Sequence, residues 1–101
     1  MMIYKVKARF IEATLSEFFE KLTDGTIDNQ LPDGHEIVDS MKRAKITGPQ
    51  VIEWSEQCYC SPPLNHERTT VYDFYLTAIE TEPIGKYVEM EGESFWAYMA
   101  K

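Results

Sequence analysis

The chain carries only 2 cysteines in 101 residues, too few for a disulfide scaffold, so a hydrophobic core must hold it together. Positive charge is scarce as well. Lys and Arg number 10 against 17 Asp and Glu, which leaves a formal net charge of −7. An average field of that sign repels phosphate, so diffuse binding to nucleic acid or to an anionic membrane is not expected. No apolar run approaches the roughly 20 residues that span a bilayer. Residues 1–4 show no charged start followed by an apolar stretch, so no secretory signal is expected, and the cytoplasm is the expected location. A Gly-rich phosphate loop, a G-x-S-x-G turn and an H-E-x-x-H helix are all missing. Repeats, linkers and low-complexity segments are missing too.

What is present suits one domain spanning residues 1–101. A chain of this length buries roughly 65% of its unfolded surface, enough for a core without staples. Aromatic residues make up 13%, so that core or an interface should be rich in rings.

Residues 3–11 alternate. Tyr4, Val6, Ala8 and Phe10 point one way and Lys5, Lys7 and Arg9 the other, the pattern of a half-buried strand with a basic outer stripe. Thr14 to Glu17 reads as a capping box, followed by Leu15, Phe18, Phe19 and Leu22 at helical spacing and a stop at Asp24-Gly25. Residues 25–35 read as a loop. Residues 36–47 fit either a helix or a strand, and we expect a short helical start followed by a strand from about Met41. Residues 51–60 alternate as a strand that Pro62-Pro63 must end. Residues 70–81 also alternate, and we expect a second strand beside the first. Lys5, Lys7 and Arg9 should then oppose Glu53 and Asp73, each pair adding roughly 0.2–1 kcal/mol. Tyr87-Val88 reads as a short strand and residues 91–101 as a helix with Phe95, Trp96 and Met99 on one face. The expected fold is α+β, a small mostly antiparallel sheet of three to four strands with helices packed on one face. A ferredoxin-like arrangement is one variant of it.

The reactive side chains concentrate between Gln57 and Arg68. Cys58 and Cys60, at i and i+2 of a strand, share a face with Cα atoms about 6.6 Å apart, so a disulfide between them needs a bend. His66 lies across the following loop. Two thiolates and an imidazole form a soft donor set suited to zinc or another soft divalent metal. The fourth ligand would come from His35, Glu56, Glu67 or Asp73. Against this stands the tendency of free cysteine to pack as a small hydrophobe, which implies no cofactor.

Glu56 shares its face with Trp54 and Cys58. A carboxylate there must pair with Arg9, Arg43 or Arg68, leave the core by a bulge near Ser55, or sit in a pocket with a raised pKa. Three functions are therefore expected in turn. The first is a non-catalytic module, homodimeric through an outer sheet face carrying Val71, Tyr75 and Ile79, or binding a small molecule. The second is a metal or thiol site at Cys58, Cys60 and His66. The third is a cofactor-free enzyme with Glu56 or His66 as acid/base, Arg68 orienting an anionic group and Tyr59 or Tyr72 lining the pocket.

Overall fold

Alternating residues make β1 (Met2–Phe10) what it is: Tyr4, Val6, Ala8 and Phe10 are buried while Lys7 and Arg9 are exposed. In the computed structural model, which describes residues 2–101, four further strands join it. They are β2 (Lys45–Gly48), β3 (Val51–Cys58), β4 (Leu76–Pro83) and β5 (Glu93–Ser94). The sheet order is β4-β1-β3-β2-β5 and every neighbour is antiparallel. The sheet thus has five strands rather than the three to four expected.

Helices cover one face. In α1 (Leu15–Thr23), Leu15, Phe18 and Leu22 are buried at i, i+3 and i+7. A turn over Glu12–Thr14 precedes it, and the expected capping box does not form. Thr14 Oγ1 bonds back to the Ile11 carbonyl, and the Glu17 carboxylate instead accepts from the Tyr75 hydroxyl at 2.8 Å. Next comes α2 (Gly34–Arg43), which buries Ile37, Val38 and Met41. The helix therefore claims Met41, and the strand starts only at Lys45. Gly34 is required: a Cβ there would meet the Ile27 carbonyl oxygen at 2.0 Å. The chain ends with α4 (Phe95–Met99), where Ser94 Oγ accepts from the Ala97 N–H at 3.1 Å, and Phe95 and Met99 are buried.

The main departure from expectation is residues 65–75, which form α3. It comprises an α-turn at Asn65–Glu67, a π-turn at Arg68–Tyr72 and an α-turn at Asp73–Tyr75. Leu64, Glu67, Val71, Tyr72 and Tyr75 are buried, a helical period that the Thr-Val-Tyr composition disguises as a strand. Thr69 and Thr70 satisfy their hydroxyls on the carbonyls of Asn65 and His66, which reconciles them with a helix. Two expectations fall with this. β3 and β4 are not neighbours, because β1 lies between them. Val71 and Tyr75 pack in the core on α3, so they form no apolar outer sheet face.

The outer face is charged instead. Lys7 stands opposite Glu53 and Glu80, Lys5 opposite Glu82, and Lys5 Nζ reaches Glu53 at 3.2 Å. Asp73 pairs with Arg68, away from that stripe. Tyr87-Val88 is not a strand. Val88 exchanges both backbone groups with Ser55 Oγ, at 2.7 and 3.0 Å. Among the described residues, no helix is long and apolar enough to cross a membrane.

Candidate metal centre

The site forms where β3 runs out. β3 ends at Cys58, short of the expected residue 60 and ahead of Pro62-Pro63, and the chain turns through Leu64, a fully buried residue in the left-handed region at φ 60°. That turn starts α3 heading back past the end of β3. Glu67, one turn into the helix, is thereby set against the two cysteines. Cys58 Sγ lies 3.7 Å and Cys60 Sγ 3.2 Å from Glu67 Oε1. Both thiols are free. The N–H of Cys60 donates to Cys58 Sγ at 3.0 Å, and the N–H of Leu64 donates to the same sulfur. Backbone donors of this kind favour a thiolate over a thiol.

Glu67 is only 1% exposed, and no Lys, Arg or His forms an ion pair with it among the described residues. Burial pushes its carboxyl above the ordinary carboxylate range, and burial pushes the Cys58 thiol up to about 12. The protein therefore holds a group of acids whose charged forms lack a counter-charge.

His66 does not join the two sulfurs as the sequence reading placed it. It turns the other way, and its Nδ1 lies 2.7 Å from Asp33 Oδ2. Asp33 sits at the N-cap position of α2 without capping it, its carboxylate being given to His66. Glu67 belongs to both groups. Cys58, Cys60 and Glu67 offer donor atoms within 4.8 Å of one another, and so do Asp33, His66 and Glu67. Of the fourth ligands considered, Glu67 alone joins the cysteines. His35 pairs with Asp28, Asp73 pairs with Arg68, and Glu56 belongs to a separate cluster. Asp33 had no signal in the sequence, since 33 residues separate it from His66.

Glu56 is fully buried, and β3 carries no bulge at Ser55, since its register with β1 is unbroken. None of the three arginines reaches Glu56. Arg43 bonds Glu36 and the Ser55 carbonyl, Arg68 bonds Asp73, and Arg9 lies on the outer face. Glu56 Oε1 accepts from Trp54 Nε1 at 2.8 Å and from the Tyr72 hydroxyl at 2.6 Å, while Oε2 has no partner among the described residues. Burial pushes its carboxyl up to about 8 against these hydrogen bonds. The acid/base constellation expected of an enzyme does not converge. Glu56 and Tyr72 are sealed in the core, Tyr59 is 77% exposed, and Arg68 lines a separate surface pocket with Pro62, Pro63 and Asp73. No protein-family model, curated protein or solved structure matches this chain.

Proposed function

We propose that this protein is a metal-binding module that takes a soft divalent cation, zinc being the reference, on Cys58, Cys60 and Glu67. One observation carries the reading: a buried carboxylate faces two thiols, and among the described residues no Lys, Arg or His is ion-paired with it. Zinc ligands at about 2.3 Å for sulfur and 2.0 Å for oxygen, set at the tetrahedral angle, stand about 3.5 Å apart. The Sγ to Oε1 distances of 3.2 and 3.7 Å bracket that value. The cation would bind the deprotonated thiols, replace the missing counter-charge and tie the end of β3 to α3. This is the second of the three functions expected from the sequence, with Glu67 in place of His66 beside the thiols. The element order β-α-α-β-β-α-β up to β4, with strand order β4-β1-β3-β2, supports reading the fold as a ferredoxin-like variant with a second helix in its first crossover and with β5 and α4 appended.

A native mass spectrum of the full chain, purified without chelator and supplied with zinc, tests the proposal. Expected is a zinc adduct that survives desalting and disappears in Cys58→Ser and Cys60→Ser, with each variant still folded by circular dichroism. A metal-free mass with both thiols reduced, at zinc concentrations in excess of protein, would overturn it.

A further inference from the structure

Glu67 serves two donor sets that differ in chemistry. One is soft and closed: Cys58 is 3% exposed and Glu67 1%, with Cys60 half-buried. The other is Asp33, His66 and Glu67, a nitrogen and two carboxylates, and its His66 side chain is 38% exposed. We propose that the site holds two divalent transition-metal cations bridged by the Glu67 carboxylate, an inner one on the thiolates and an outer one on Asp33 and His66. This inference rests on the metal reading above.

Three features support it. A carboxylate has two oxygens, and one can serve each cation at the roughly 3.5–4 Å metal separation typical of paired sites. The charge also closes: two thiolates, Asp33 and Glu67 carry four negative charges, which two divalent cations neutralise. A single cation on the thiolates leaves Asp33 and Glu67 with two uncompensated negative charges beside it. Finally, Asp33 forgoes the helix cap its position offers and instead holds His66. The Asp33–His66 separation of 2.7 Å must open to about 3.3 Å to admit a cation with ligands near 2.05 Å at the tetrahedral angle. That is a small movement for a half-exposed histidine. Asp, His and Glu together suit zinc, manganese or ferrous iron, whereas the thiolates select the softer metals.

Titration of the metal-free full chain with cobalt(II) separates the sites, because only the inner one gives a thiolate-to-metal charge-transfer band. Expected is a charge-transfer band that saturates at one equivalent, while ligand-field absorption rises to two. A native mass spectrum should show two cobalt ions. His66→Ala and Asp33→Asn should each lower the stoichiometry from two to one and leave the charge-transfer band intact. Saturation of the wild-type chain at one equivalent, with His66→Ala indistinguishable from it, would overturn the bridged pair and leave the single thiolate site standing. Two ions retained in both variants would also overturn it, since the second would then be adventitious. No bound cobalt at all would overturn the metal reading itself.

Discussion

Burial holds Glu56 as a neutral acid at neutral pH, with Trp54 and Tyr72 on one oxygen and, among the described residues, no partner on the other. Its carboxyl titrates near 8 in the folded chain against an ordinary 4.5. Between those values the folded state binds more protons than the unfolded one, so stability falls as pH rises. The contribution is complete below 4.5 and lost above 8, at ~1.4 kcal/mol per pH unit between. Glu67, raised in the same direction, adds to it. Urea unfolding in the presence of chelator should show a chain a few kcal/mol more stable at pH 5 than at pH 8. Glu56→Gln should flatten most of that slope, and an unchanged slope would remove Glu56 as its source. Tyr72→Phe deletes the 2.6 Å hydrogen bond to Glu56 and should cost about 1–3 kcal/mol by the same measurement.

At the level of elements, β3 outruns its partner β2. The pairing stops at Lys45 with Glu53, so the next backbone groups on that edge need other partners. Side chains of α2 supply them. Glu36 Oε2 accepts from the Gln57 N–H at 2.8 Å, and an Arg43 guanidinium nitrogen donates to the Ser55 carbonyl at 2.7 Å. Glu36 also accepts from Arg43 and from the Tyr87 hydroxyl, so one carboxylate joins strand, helix and the 84–92 segment. Glu36→Ala strands these donors together, and thermal or urea unfolding should show a loss of about 2–3 kcal/mol. Ser94→Ala removes the one side-chain cap of α4 and should cost about 1 kcal/mol. In α3 the π-turn lies between Glu67 and Tyr72, so that one helix sends Glu67 to the thiols and Tyr72 to Glu56.

For the whole molecule, the proposed centre links three parts of the chain: the end of β3, the first turn of α3 and the entry to α2. A cation that binds only this folded arrangement stabilises it by mass action, about 2.7 kcal/mol at a hundredfold excess over the dissociation constant. For a domain of this size that raises the melting temperature by roughly 10 °C or more. Calorimetry with and without zinc should show this rise in the wild type. Cys58→Ser should abolish it, and an equal rise in that variant would place the cation elsewhere.

Local periodicity was enough to show β1 and α1, because one face of each meets the core and the sequence records that face directly. A strand starting at residue 51 was readable for the same reason, although it ends at Cys58 rather than at residue 60. Residues 70–75 were not, since Thr, Val, Tyr and Phe in alternation fit a strand locally, whereas burial of Leu64, Glu67, Val71 and Tyr75 requires a helix. The sheet order, the sealing of Glu56 and the pairing of Asp33 with His66 depend on which surfaces meet. Tertiary packing alone decided them. Donor atoms converge because a strand end, a helix start and a distant loop are pressed together, and no spacing along the chain encodes that.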